Sequence, residues 1–398
     1  MEKLGPELTY VIQEEQLGTG DAVKAAKEYL DDGEVIVLCG DTPLLNGALL
    51  KEFLEFHRKE ASLVTVLTAE TADPAGYGRV IRNEQGKVIK IVEEKDATVE
   101  ERAIKEINTG TYCFYGPALA KALGLLSRDN KQKEYYLTDV LEILDREGKV
   151  TACKTREPRL ALGVNNREQL AEAAAILREF KNRQLMDAGV TLIDPRTTYI
   201  DVDVEIGPDT VIYPNTFIEG KSRVGKECSV GPATHITDSM LGDKVVIRYS
   251  VVADSSIGDN VVIGPFANIR PGSSLDQNVK IGDFVEVKKS SVGEGTKIPH
   301  LSYIGDAEIG GGVNIGAGTI VVNYDGKEKH MTRIGSGAFI GCNSNLVAPV
   351  TVGDESFVAA GSTITEDVPP GSLAISRARQ VVKAEAAYKY LKTGKRKN

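Results

Sequence analysis

The sequence predicts two architectures joined end to end: an α/β layered domain first, then an all-β coil of six-residue repeats, with a long helix between them. Two observations predict this. Of the 40 glycines, 15 fall in residues 1–200 and 24 in residues 201–371. Near residue 200 the aliphatic residues also change from mixed helical and alternating patterns to a strict step of six. At about 150 residues per domain, 398 residues also imply more than one core.

In the first half, helical patterns at 21–30, 47–59 and 134–146 alternate with β-branched runs at 35–39, 63–68, 88–92 and 111–115, as expected for helices layered on a sheet. Residues 166–188 read as one Ala-rich helix, with Gly189 placed to cap its C-terminus. It is the expected connector, so the domains are 1–166, a linker helix at 167–189, and 190–398.

Beyond it, Ile206, Ile212, Ile218, Val224, Val230 and Ile236 form one run of sixes, and Ile257, Ile263, Ile269, Leu275, Ile281 and Val287 a second. Val292, Ile298, Ile304, Ile309, Ile315 and Val321 continue with occasional steps of five, and Ile334, Ile340, Leu346, Val352, Val358 and Ile364 form the last run. A helix cannot place residues six apart on one face, and a simple strand repeats every two. A triangular coil fits, since each side sends one aliphatic inward and glycine or a small residue permits the corner. Roughly nine coils are expected at three sides per coil. Residues 323–333 (NYDGKEKHMTR) carry no aliphatic at the expected step, so the chain leaves the coil there as an external loop. Residues 376–391 look helical and run into a basic tail, KTGKRKN.

A net charge of −9 gives no positive field for nucleic acid or an anionic membrane, which leaves small molecules as the expected partners. Five cysteines stand singly without CxxC spacing, against zinc and against a disulfide framework. No apolar run approaches the roughly 18 residues of a membrane helix, and the N-terminus lacks a signal shape. The expected location is the cytoplasm.

Several motifs carry chemistry. Residues 16–22 (QLGTGDA) put a Gly-Thr-Gly turn before a helix, whose first amides can receive a phosphate or a base edge. Strand 35–39 ends in Gly40-Asp41-Thr42-Pro43, which places a carboxylate at the C-terminal end of a buried strand, where open sheets bind ligands and an Asp commonly holds Mg²⁺. Of the four histidines, His57 lies in a charged helical pattern and reads as surface, His330 as a loop rim residue, and His235 as structural. His300 stands in a segment dense in hydrogen-bonding groups, one or two coils from Arg270 and Lys288, and is the candidate base. A solenoid scaffold without catalysis would not bring Arg, Lys, His, Tyr and Asn onto neighbouring coils.

With Gly76-Tyr77-Gly78-Arg79, Ile91-Val92-Glu93-Glu94-Lys95, Glu106-Ile107-Asn108-Thr109-Gly110 and Gly163-Val164-Asn165-Asn166, the first half resembles the sugar-1-phosphate nucleotidyltransferases. With the hexapeptide coil attached, essentially the whole chain resembles the bifunctional bacterial family that joins an N-acetylglucosamine-1-phosphate uridyltransferase to a glucosamine-1-phosphate N-acetyltransferase. The resemblance implies a Rossmann-like nucleotidyltransferase domain and a left-handed parallel β-helix. It implies that Gln13, Gly18, Thr19, Cys39, Gly40, Asp41, Gly78, Glu93, Asn108 and Asn165 surround the nucleotide sugar, with Asp41 and Asn165 on Mg²⁺. In the coil it makes His300 the base, with Glu286 and Asn323 positioning amine or imidazole. Arg270 and Lys288 would grip the sugar phosphate, Tyr303 and Asn314 its hydroxyls. Ala317, Asn323, Tyr324, Cys342, Ala360 and Arg377 would line the acetyl-CoA site, Cys342 standing where the family usually has serine.

Members of that family open with a strand and a loop of the type L-A-A-G-x-G-T-R-M, for which this sequence has no match. The first domain is therefore expected to be incomplete. Acetyl transfer from acetyl-CoA to glucosamine-1-phosphate, in UDP-N-acetylglucosamine and peptidoglycan biosynthesis, is then the expected activity. The alternative is a fully bifunctional enzyme that also uses UTP and N-acetylglucosamine-1-phosphate. The family resemblance further implies a homotrimer.

Overall fold

The computed structural model describes residues 8–390 and divides the chain into two units, one ending at Leu177 and one beginning at Arg178. The division falls inside the long helix Arg167–Asp187, which Gly189 ends in a left-handed conformation at φ 93°. The basic tail lies outside the described residues.

The first unit is built on a six-stranded mixed sheet: β1 (Glu34–Val37), β2 (Val64–Glu70), β3 (Arg79–Arg82), β4 (Val88–Val92), β5 (Glu106–Tyr115) and β6 (Val150–Lys154). The ten-residue β5 is its axis. One edge of β5 pairs with β2, while the other is shared between β3, at Ile107, and β1, from Tyr112 to Tyr115. The gap between those two partners exposes the middle of β5 to a cleft. Val64, Val66, Phe114, Leu119, Val140 and Leu141 form the core beneath helices Gly116–Ala122 and Asp139–Asp145.

Three expectations change here. β1 is only half-buried, because among the described residues it hydrogen-bonds to a strand on one side alone. The expected helix at 134–146 begins only at Asp139, because the Tyr135 amide donates to Leu17 O and the Gly20 amide to Tyr135 O, which keep 134–136 out of it. His57 is buried, with Nδ1 and the Thr65 hydroxyl 2.8 Å apart: it lies on the inward face of helix Gly47–Glu60 despite charged neighbours. Desolvation pushes its pKa down.

The second unit is a parallel β-solenoid whose three faces hold 11, 10 and 9 strands, about ten turns against the nine expected. The coil already begins at Thr191–Leu192, and Leu241, Ile247 and Val252 carry it across the interval between the first two recognised runs. All the aliphatics of the sixfold pattern are buried in one continuous core. Like residues stack on like, as in Ile263↔Ile281↔Ile298, with coils about 4.8 Å apart. Buried hydroxyls tie the corners: Ser250 donates to Arg248 O at 2.6 Å, Ser302 to His300 O at 2.8 Å, and Thr319 to Gly316 O at 2.7 Å.

The corners are not reserved for small residues. Between the first and second faces, Tyr249, Phe266, Phe284 and Leu301 take left-handed φ values of 47°, 59°, 57° and 42°. That conformation costs roughly 1–2 kcal/mol for a residue with a Cβ, which ring contacts at 5.7 Å (Tyr249–Phe266) and 5.5 Å (Phe266–Phe284) help to offset. Residues 376–385 are not helical. Thr363 N donates to Ser376 O, and Arg377 Nη1 to Ala360 O at 2.9 Å, so the segment leaves the last coil as irregular chain before the short turn Ala386–Lys389.

Candidate active sites

The first unit's cleft encloses about 690 Å³ alongside β5. Its walls include Thr19, Cys39, Gly40, Asp41, Gly78, Glu93, Asn108 and Asn165, eight of the ten expected nucleotide-sugar residues. Gln13 and Gly18 are not part of these walls; Gln13 donates to Asp21 at 2.8 Å and to Gly18 O at 3.4 Å. The Gly-Thr-Gly turn is packed tightly, since a Cβ on Gly18 would lie 2.6 Å from Tyr135 O. With the Gly20 amide spent on that same carbonyl, the turn offers fewer free donors than its sequence implies.

Three close approaches shape the cleft. A Cβ on Gly78 would lie 3.0 Å from Ile91, 3.5 Å from the Glu93 carboxylate and 3.6 Å from Asn108. Gly110, at φ 73°, lies against the Cys39 thiol. A Cβ on Gly163 would find Asp41 Oδ2 at 3.6 Å and the Asn165 amide at 3.9 Å, so these two side chains flank one point. Arg79, 2% exposed, holds the Gly76–Gly78 wall by donating to Tyr77 O and pairing with Glu94 at 2.7 Å. Burial pushes the Glu93 carboxyl up, against a 3.2 Å hydrogen bond from Thr138.

Among the described residues, no group of three or more His, Cys, Asp or Glu side chains could hold a metal by themselves. The Asp41 carboxylate and Asn165 amide are hard oxygen donors, and two such donors suit Mg²⁺, which completes its shell with water and phosphate.

In the solenoid, the expected acetyl-transfer residues gather around one corner. Asp283, His300, Ala317, Cys342 and Ala360 form a single column down it, joined by amide bonds from Leu301 to Asp283 O, Gly318 to Leu301 O, Asn343 to Ala317 O and Gly361 to Cys342 O. Arg377 closes the column on Ala360. Asn314 stands on the first face, in register with Lys297.

The second face carries the rest. Glu286 and Tyr303 are stacked strand partners, and Glu286 accepts from Arg270 at 2.7 Å. Lys288 and Asp306, 12% and 16% exposed, approach to 3.8 Å. Asn323, buried, donates to Asp306 and to the Tyr303 hydroxyl. Tyr324 opens the external loop and stays exposed.

Three residues escaped the sequence reading. Asp283 lies one coil before His300, with Oδ1 2.6 Å from Nδ1, and counting one full coil back from His300 finds it. Asp306 lies six residues after His300, in the same segment dense in hydrogen-bonding groups, where the sequence assigns it no role of its own. Lys329, from the loop, brings its ammonium beside that of Lys288, which pushes it below the usual lysine range. No sequence signal separates it from Lys327.

Of the other histidines, His235 sits apart from this group, whereas the His330 amide donates to Asn323 O at its edge. His235 is exposed and paired with Glu219 at 2.7 Å, and His330 contacts Asp325 at 2.7 Å within the loop.

No helix among the described residues is long and apolar enough to cross a membrane.

A family model described as Nucleotidyl transferase matches residues 1–159, and one described as Bacterial transferase hexapeptide (six repeats) matches 254–289 and 331–366. The chain is 55% identical over 384 residues to the bifunctional protein GlmU of Geobacillus sp. (strain WCH70), covering 96% of this chain and 84% of that protein. It is 54% identical over 385 residues to the bifunctional protein GlmU of Heliobacterium modesticaldum, with 96% and 84% covered. To that of Brevibacillus brevis it is 52% identical over 399 residues, with 100% and 87% covered.

Proposed function

This chain belongs to the GlmU family, and we propose that it performs two transfers leading to UDP-N-acetylglucosamine. The solenoid would move acetyl from acetyl-CoA to the amine of glucosamine-1-phosphate, and the first unit uridylyl from UTP to N-acetylglucosamine-1-phosphate. The narrower expectation of acetyl transfer alone gives way to this reading, which the relatives' designation as bifunctional supports over 84–87% of their length. On this reading residues 1–166 are the nucleotidyl domain, 167–189 the linker and 190–398 the acetyltransferase.

For acetyl transfer, the His300 ring accepts a proton from the sugar amine while that nitrogen attacks the thioester carbonyl. The C–N bond forms, the C–S bond breaks, and the proton passes to the departing coenzyme thiolate. Lys288, Lys329 and Arg270 hold the sugar phosphate, and Tyr303 and Asn314 its hydroxyls. Glu286 and Asn323 position the amine or the imidazole. Acetyl-CoA runs down the corner past Ala317, Tyr324, Cys342, Ala360 and Arg377, with Asn323 facing its acyl end. At Cys342 a thiol replaces the usual hydroxyl with a weaker donor of similar size.

The observation that carries this reading is the corner itself. His300 lies in the column directly after Asp283, and the neighbouring face sets two ammonium groups around one carboxylate, an excess of positive charge suited to a phosphate. Thiol release from acetyl-CoA in the presence of glucosamine-1-phosphate tests it. His300→Ala should lower the rate by about two to four orders of magnitude, and His330→Ala by far less. Equal losses, or retention of most activity by His300→Ala, would reject the assignment.

In the first unit, Asp41 and Asn165 would hold Mg²⁺, which when bound supplies charge neutralisation at the phosphates. Gly78, Glu93 and Asn108 would orient the sugar, and Gln13, Gly18, Thr19, Cys39 and Gly40 the uridine. Pyrophosphate release from UTP with N-acetylglucosamine-1-phosphate is the assay, and absence of turnover would return the chain to acetyl transfer alone. A cytoplasmic homotrimer completes the proposal. If sites form between coils of different chains, mixing His300→Ala and Arg377→Ala subunits should partly restore activity. A stable, active monomer in sedimentation would exclude it.

A further inference from the structure

We propose that Asp283 is a positioning residue that fixes the tautomer and orientation of the His300 ring. Asp283 Oδ1 lies 2.6 Å from His300 Nδ1. A carboxylate in its ionised form only accepts hydrogen bonds, so Nδ1 must carry the proton, and the lone pair of the neutral ring is on Nε2. Among the described residues Nε2 has no hydrogen-bond partner, which leaves it free to take a proton from a substrate amine.

The backbone fixes the pair as firmly as the side chains do. Asp283 and His300 are strand partners in consecutive coils, and Leu301 N donates to Asp283 O at 2.9 Å. Directly before Asp283, Gly282 has no room for a side chain, since a Cβ there would fall 1.8 Å from Pro299 O. Ser302 anchors the other side by donating to His300 O. The carboxylate and imidazole thus face each other from two strands pressed as close as a glycine allows. The hydrogen bond from His300 also holds the Asp283 carboxyl below the usual carboxylate range, so it remains ionised through neutral pH.

The inference rests on His300 as the base, and its test separates the two claims. The 398-residue chain, labelled with ¹⁵N-histidine, gives four ring-nitrogen pairs, with His300 identified by its loss in His300→Gln. The parent should show Nδ1–H and an unprotonated Nε2 in the neutral ring. Asp283→Ala should shift His300 towards the Nε2–H tautomer and lower kcat by about tenfold to a hundredfold, with the acetyl-CoA KM changed by no more than about twofold. Asp283→Asn, whose amide oxygen still accepts from Nδ1–H, should recover much of both. An Nε2–H tautomer in the parent, or an Asp283→Ala protein with unchanged tautomer and kcat, would overturn the proposal. If instead His300→Ala stays active while the tautomer responds as expected, Asp283 orients the ring and the base is some other group.

Discussion

Gly305 occupies the second face in register with Lys288, beside Tyr303 and Asn323, two of the residues proposed to hold the sugar. An alanine methyl there would sit 2.5 Å from the Tyr303 hydroxyl and 2.8 Å from the Asn323 amide. Ordinary contact begins near 3.4 Å, so the Tyr303 hydroxyl would have to retreat by about 0.9 Å and Asn323 by about 0.6 Å. Both atoms are ends of side chains, and the Gly305 backbone is not left-handed, so the coil should accommodate the change for about 1–3 kcal/mol. Misplacing substrate-positioning groups by about 1 Å can cost about 10²-fold in rate. Gly305→Ala should therefore remain folded, with a denaturant midpoint only modestly lowered, and lose roughly ten- to a hundredfold in kcat/KM for the amino sugar phosphate. The assay is thiol release at varied sugar phosphate, with chemical denaturation run in parallel. Unchanged kinetics in a folded variant would show that Tyr303 and Asn323 do not contact the reacting sugar.

Ile298→Ala empties a fully buried position in the coil that carries His300 and should destabilise the solenoid by about 2–5 kcal/mol in denaturant titration. Burial, reinforced by Glu142 and Asp96, pushes Asp139 up from 3.8 to about 6. A raised folded pKa gives stability present at low pH and lost as pH rises through about 6. Asp139→Asn should accordingly stabilise the first unit above pH 6, with the gain fading towards pH 4. Glu94→Ala leaves the buried Arg79 guanidinium without its carboxylate and should cost about 2 kcal/mol, after allowing for the partial exposure of Glu94. It should also weaken nucleotide-sugar binding, read by calorimetry, because Gly76–Gly78 loses its anchor.

The solenoid was legible because its core obeys one rule: a single aliphatic every six residues, buried wherever the rule was read. Leu241 and Val252 were missed because they depart from the step of six counted along a single run. In the first half the signals were local and the outcome was tertiary. His57 reads as surface from HRKE, yet helix geometry turns it onto Thr65. Residues 134–138 favour helix by themselves, but main-chain bonds between Tyr135 and Leu17 and Gly20 keep 134–136 out of it, and the chain turns into the helix only at 137–138. Arg79–Arg82 is too short and too charged to announce a strand, and its pairing with β4 and β5 makes it one. At the sites, residues quoted in contiguous motifs were found, whereas partners one coil away, such as Asp283, required knowledge of which residue lies above which.

The external loop has a consequence for how the coil tolerates change. Val292 pairs with Ile309 at a separation of 17 residues, yet Ile309 pairs with Ile334 at 25, and every later coil remains in step. The solenoid thus fixes its frame inside the strands and relaxes it at the corners: Leu241 to Ile257 takes 16 residues and Ile257 to Leu275 takes 18 with the core unbroken, while the segment after Asn323 absorbs eight more than the preceding coil. A fluorophore or short peptide placed between Lys327 and Glu328 would therefore ride outside the coil, two residues from Lys329. It would sense substrate arriving there while the strands below it kept their pairing.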